Sequence, residues 1–304
     1  MIEANGLCKD YGNVRALCDV SLKVNRGEIF GFFGPNGAGK TTCIKVLCGL
    51  TKPSEGDAMV MDIDVCKHPV WIRDNIAVLS EESKFYEDMT PRKYLDMFGK
   101  LMVMKKQDRL KALNDAADLA DLRPFLDKRI AFLSQGERQR ISLARVLMAD
   151  CPLMFLDEPF EGVDIIHRKA VREHLKDFVK DGNTIFFTSH NLLEAEHIVD
   201  RFAFINFGKL IAVGTAQELK ERYLAPSYLL QVSDPEKTRD ALNGNLPLQY
   251  LKVVEGQVAV TLQRRSDAAK VAKILVESGV DIFEMRTTGT MEEVFERIAR
   301  GDSA

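Results

Sequence analysis

Apolar residues along the chain come in two spacings. Short unbroken runs, as in EIFGFFG (28–34), PLMFLDEP (152–159) and NTIFFTSH (183–190), each end at polar residues. Runs this short, apolar on both faces, predict buried strands of a mostly parallel, covered sheet within residues 1–222. In such sheets ligands bind outside the carboxyl ends of the strands, so the polar residues closing these runs are the first candidates for chemistry. Between them, residues 84–150 turn to helix formers, Met and basic residues, as in KYLDMFGKLMVMKKQDRLKALNDAADLADL, and predict a helical subdomain. The pattern changes again near RYLAPSYLLQV, where Pro226 follows the last helical stretch. Beyond it SYLLQV reads as strand, PEKTRDAL as helix, and LQYLKVV and QVAVTLQ as strands. The helix DAAKVAKILVES sets Ala268, Val271, Ala272 and Leu275 on one face, before a strand DIFEMRT and a closing helix MEEVFERIAR. This βαββαβ order predicts a small α+β, ferredoxin-like domain over residues 226–304.

Composition narrows the picture only a little. The chain has 304 residues, 29% charged and 46% hydrophobic, which suits an α/β core with a second, smaller domain. A net charge of -3 gives no reason to expect a nucleic-acid partner. No apolar run approaches the length of a membrane span, and Met1 opens no signal peptide. The six cysteines (Cys8, Cys18, Cys43, Cys48, Cys66 and Cys151) form no CxxC pair and no zinc spacing, so buried, reduced thiols are expected.

The chemistry concentrates in four stretches. GPNGAGKTT fits the phosphate-loop pattern G-x-x-x-x-G-K-[ST] between a strand and a helix. Gly34, Pro35, Asn36, Gly37, Ala38 and Gly39 form a loop whose amides can turn toward phosphate oxygens. Lys40 reaches the β- and γ-phosphates, Thr41 offers its hydroxyl to Mg²⁺, and Thr42 continues the helix N-terminus. In LMFLDEP, Asp157 and Glu158 are adjacent acids at a buried strand end, costly unless a cation or a reaction needs them. Asp157 is placed to hold the Mg²⁺ shell, and Glu158 to polarise an attacking water. His190 ends the strand TIFFTSH, where it either packs or hydrogen-bonds the γ-phosphate. LSQGERQR (133–140) carries Ser134 and Glu137 in an S-x-x-E capping box ahead of Ile141, Ala144 and Leu147. The cap leaves Gly136 unexplained, since Gly in a helical turn costs about 1 kcal/mol against Ala. A glycine and a free hydroxyl at a helix start are also what an anion site needs. Tyr11, in LCKDYGNVRAL, either stacks on an adenine or packs in the core.

Taken in order and spacing, GPNGAGKTT, LSQGERQR, LMFLDEP and TSH resemble the ATP-binding subunits of ABC transporters. The resemblance implies a P-loop ATPase with ATP and Mg²⁺ as ligands and Glu158 and His190 in catalysis. It implies an A-loop role for Tyr11 and a D-loop at FEGVD ending in Asp164. It also implies a head-to-tail homodimer, in which Ser134, Gln135, Gly136, Glu137 and Asp164 act on the partner's ATP. Gln135 and Glu137 depart from the family's LSGGQ pattern. In IAVLSEESKFYEDMT the family's Q-loop glutamine aligns with Glu81, a carboxylate able to take a catalytic and Mg²⁺-ligand position. The EES.FYEDMT stretch and the closing TMEEVFERIA are similar to those of ABC-2-type exporters. An integral-membrane permease is then the expected partner, with this chain cytoplasmic and peripheral on the inner face of the membrane. Glu158 is thereby expected to drive hydrolysis that powers export.

Overall fold

The computed structural model describes residues 1–80 and 84–300. It divides into two compact units, Met1–Val213 and Gly214–Ala304. The division falls one helix earlier than the expected break between residues 222 and 226.

The first unit opens with a hairpin, β1 (Ile2–Tyr11) and β2 (Val14–Val24). The apolar run then gives β3 (Ile29–Phe33), every residue of which is buried, and α1 (Lys40–Leu47) follows the glycine-rich loop. After β4 (Glu55–Val60), β5 (Ile63–Asp64) and α2 (Pro69–Asp74) comes β6 (Ile76–Leu79). The helical stretch resolves into α3 (Pro91–Leu101), α4 (Lys106–Leu119) and α5 (Gln135–Leu147). The chain returns through β7 (Leu153–Asp157), α6 (Ile165–Lys180), β8 (Thr184–Ser189), α7 (Leu192–Ala195), β9 (Arg201–Asn206) and β10 (Lys209–Gly214).

Six strands form one sheet in the order β10-β9-β3-β8-β7-β6, with β9, β3, β8, β7 and β6 paired in parallel. Rings of Phe30, Phe32, Phe155 and Phe186 meet at centroid distances of 5.5–5.8 Å in its core. A second sheet, β2-β1-β4-β5, is antiparallel and was not expected. Its alternation is hard to read because register shifts interrupt β1 between Ala4 and Leu7 and again at Lys9, moving side chains to the opposite face. Both sheets share one core with α1 (Ile2, Val20, Phe30, Ile44, Val60, Phe155). Cys43 and Cys48 lie fully inside it, and burial pushes the Cys43 thiol up to about 12. Cys18, Cys66 and Cys151 are only half-buried, so burial is less complete than the sequence reading expected.

The second unit begins with α8 (Ala216–Tyr223), then β11 (Ser227–Val232), α9 (Pro235–Leu242), β12 (Leu248–Val254), β13 (Gln257–Leu262), α10 (Ala268–Glu277), β14 (Ile282–Thr287) and α11 (Met291–Arg300). Its sheet is antiparallel, in the order β12-β13-β11-β14. Val271 and Leu275 of α10 are buried against Leu230, Val258 and Val260, as the helical spacing predicts, while Ala272 is half-buried. α8 belongs to this unit for a physical reason. It packs against α11, Arg297 donates to the Tyr223 carbonyl at 3.2 Å, and Glu221 pairs with Arg265. Among the described residues no helix is long and apolar enough to cross a membrane.

Candidate nucleotide site

The carboxyl ends of β3, β7 and β8 bring the predicted residues together. A cavity of about 390 Å³ there is lined by Asn36, Gly37, Gly39, Lys40, Thr41, Thr42, Asp157, Glu158 and His190, with Ala16 and Glu161. The loop is held from behind, where the Ala38 carbonyl accepts from Gly208 N–H at 3.0 Å. Gly39 has φ +110°, and a Cβ there would stand 2.6 Å from the Ala16 carbonyl oxygen. Only glycine fits both constraints. Gly39 is also the N-cap of α1, so no side chain occupies the first-turn amides. Lys40 is buried, its ammonium held by the carbonyls of Gly34 (2.7 Å) and Pro35 (3.2 Å). Uncapped amides beside a buried cation suit a phosphate chain.

Parallel pairing of β7 with β8 sets Asp157 beside Thr188. Asp157 accepts from the Thr188 hydroxyl through one oxygen and from Thr41 Oγ1 at 3.1 Å through the other. Thr41 and Asp157 thus present hard oxygens side by side, which fits Mg²⁺. Among the described residues no cluster of three or more His, Cys, Asp or Glu could form an all-protein metal cage. Any Mg²⁺ here would share its coordination with phosphate and water.

Glu158 takes φ +51°, an uncommon backbone state for a non-glycine residue, fixed by its N–H donating to the Thr188 carbonyl at 3.1 Å. Its Oε2 accepts from Ser189 Oγ at 3.0 Å, and Oε1 lies 2.9 Å from His190 Nδ1. Burial raises the Glu158 pKa, with the His190 contact acting in the opposite direction. The His190 side chain is otherwise well exposed.

LSQGERQR begins α5 with the predicted capping box. Ser134 Oγ accepts from Glu137 N–H at 3.3 Å, and Glu137 Oε2 accepts from Ser134 N–H at 2.8 Å. The hydroxyl is not free, because Ser134 Oγ also lies within donating distance (2.9 Å) of the same Glu137 oxygen. Gly136 has a tertiary neighbour that sequence could not show, although a Cβ on Gly136 itself would meet Gly162 only at an ordinary 3.5 Å. It faces Gly162 of FEGVD so closely that a Cβ on Gly162 would lie 2.7 Å from Gly136 Cα. A second cavity, about 420 Å³, is lined by Gln135, Gly136, Arg138, Gln139, Gly162, Phe85 and Glu161. Asp164 is exposed two residues beyond Gly162.

Two predicted residues stand apart. Tyr11 ends β1, about half exposed, with Lys9 Nζ 5.2 Å from its ring centre, and it does not line the phosphate-side cavity. Glu81 lies outside the described residues. Sequence reasoning missed Thr188, Ser189 and Glu161. The TS of TSH was the available signal for the first two, since hydroxyls at a strand end beside acids are natural hydrogen-bond partners.

A sequence profile described as ABC transporter matches residues 17–161. The bacitracin transport ATP-binding protein BcrA of Bacillus licheniformis is 30% identical over 99% of this chain and 98% of its own length. The daunorubicin/doxorubicin resistance ATP-binding protein DrrA of Streptomyces peucetius is 33% identical over 88% of this chain and 78% of its own. Among solved structures, an ATP-binding subunit of an ABC transporter superposes with a TM-score of 0.67 at 27% identity, over 72% of this chain and 92% of that one. A dimeric ATP-binding cassette in a post-hydrolysis state with ADP and Pi shares the fold, with a TM-score of 0.65 at 23% identity over 71% of this chain and 98% of that one. With the phosphate loop, the paired acids and the capped signature helix in one unit, and with similarity running the length of BcrA, this chain belongs to the ATP-binding proteins of the ABC transporter family.

Proposed function

We propose that the chain hydrolyses ATP in sites shared between two copies and so drives export through a separate membrane permease. The observation that carries this reading is the oxygen and charge set at the strand ends. Thr41 and Asp157 lie 3.1 Å apart, and Glu158 sits beside them on Ser189 and His190. Glu158 orients a water so that its oxygen attacks the γ-phosphorus. The water's proton passes to the carboxylate, and the bond from phosphorus to the ADP oxygen breaks. A raised pKa makes Glu158 the stronger base for that proton. Lys40 and the loop amides of residues 34–42 bind the phosphates, and His190 hydrogen-bonds the γ-phosphate while steadying Glu158. Mg²⁺, held by Thr41 and Asp157 with Glu81 contributing, would neutralise phosphate charge.

Ser134, Gln135, Gly136, Glu137 and Asp164 act on the partner's nucleotide, and Tyr11 stacks on the adenine. The permease reading rests on the names of the relatives, which include bacitracin and daunorubicin/doxorubicin proteins. The chain is then cytoplasmic and peripheral at the inner face of the membrane. The second unit is read as a ferredoxin-like regulatory domain, supported by its βαββαβ order and the strand order β12-β13-β11-β14. The test is affinity isolation from detergent-solubilised membranes. Recovery of a multi-helix membrane protein whose presence stimulates ATP turnover is expected. Recovery of ribosomes or DNA instead would overturn the transport reading.

A further inference from the structure

We infer that Arg140 is a positioning residue that fastens the D-loop to the signature helix, so that the elements offered to the partner's ATP move as one piece. This rests on the shared-site reading above. Arg140 lies one turn after Gly136 on the same face of α5. Its Nε donates to the Gly162 carbonyl at 2.8 Å, and its Nη1 donates to Asp121 Oδ2 at 2.6 Å. Beneath this fork the Gly136 and Gly162 backbones touch, and Gly162 at φ +68° admits no side chain. Asp121, two residues past α4, holds φ +51° and has His167 Nε2 of α6 at 3.6 Å. One guanidinium thereby ties together α5, the D-loop and the end of α4, with α6 at hand.

The planar fork is the reason for arginine, since a lysine ammonium is a single point and lacks the two directed donors. The Arg140 and Asp121 side chains are 19% and 29% exposed, so the pair is largely shielded from water and removing either partner also costs stability. The further value of the contact is positional. Ser134 precedes Gly136 by two residues and Asp164 follows Gly162 by two, and a D-loop cut loose from α5 would present the two out of register.

The experiment has two readouts on the full-length protein. In the first, Arg140→Gln raises amide hydrogen exchange in residues 161–164 and leaves β7 unchanged. Unchanged D-loop exchange overturns the inference, whatever the dimer does.

The second readout uses mixed dimers in a Glu158→Gln background, with Lys40→Ala in one protomer, and follows release of the single trapped ATP. Arg140→Gln in the Lys40→Ala protomer should speed release about 10- to 100-fold. In the other protomer it should leave release unchanged, an asymmetry that mere loss of folding would not produce. Asp121→Asn keeps an acceptor oxygen and tolerates the left-handed backbone, so it should retain ATP far better than Asp121→Ala. Gly136→Asp in the same two placements is the reference. If it is asymmetric and Arg140→Gln is not, the latch fails and the shared site stands. If Gly136→Asp is indifferent to placement, or the reference dimer traps no ATP, the shared-site reading fails and the exchange result alone judges the latch.

Discussion

Replacing Glu158 with Gln removes a charge and almost nothing else. The amide oxygen can still accept from Ser189 Oγ, now 3.0 Å from Oε2, and the backbone anchor to Thr188 is untouched. Burial raises the Glu158 pKa, so whatever stability that shift contributes is present at low pH and lost as pH rises through the folded value. Wherever it is ionised, the buried carboxylate is therefore a burden on the fold, and Glu158→Gln should not lower Tm. The chemical step is another matter. A general base contributes about 10²- to 10⁴-fold, or roughly 3–5 kcal/mol of barrier. Turnover should fall by that factor while ATP binding is kept or tightened, because Lys40, the loop and the partner's signature helix still hold the nucleotide. The assay is steady-state phosphate release with ATP binding measured in parallel. Turnover within about threefold of wild type, under ~1 kcal/mol, would refute the role assigned to Glu158.

Hydrolysis should weaken as pH falls through the raised pKa of Glu158, beginning above the 4.5 of an ordinary glutamate, and kcat against pH would locate that limb. Gly39→Ala would set a Cβ 2.6 Å from the Ala16 carbonyl at φ +110°, and should cost about 1–3 kcal/mol in thermal unfolding and weaken ATP binding. A chain ended at Val213 should remain folded and bind ATP. One ended at Ala225 keeps α8 without α11 and should be the less soluble of the two, as gel filtration would show.

Much of the first unit was legible because buried parallel strands write themselves as short apolar runs. β3, β7 and β8 lie where EIFGFFG, PLMFLDEP and NTIFFTSH place them, and their polar ends line one cavity. The antiparallel sheet was not legible, since shifts at Ala4/Leu7 and Leu7/Lys9 break the alternation that would have announced it. Thr188 and Ser189 passed unnoticed because their worth depends on register. Only the pairing of Asp157 with Thr188 brings both hydroxyls to the acids. Gly136 looked like an anion-site glycine alone, and its contact with Gly162 is tertiary, between segments separated by α5 and β7. The domain boundary slipped by one helix because Pro226 marks a turn, whereas α8 is assigned by its packing on α11.

The account turns on ATP being enclosed between two copies. Sedimentation of the Glu158→Gln protein with ATP and Mg²⁺ tests this most directly, because the trapped state cannot hydrolyse its way out. The expected species is a dimer holding one ATP per chain, dispersed to ATP-bound monomers by Gly136→Asp. A monomer at saturating ATP, or a dimer indifferent to Gly136→Asp, would contradict the account.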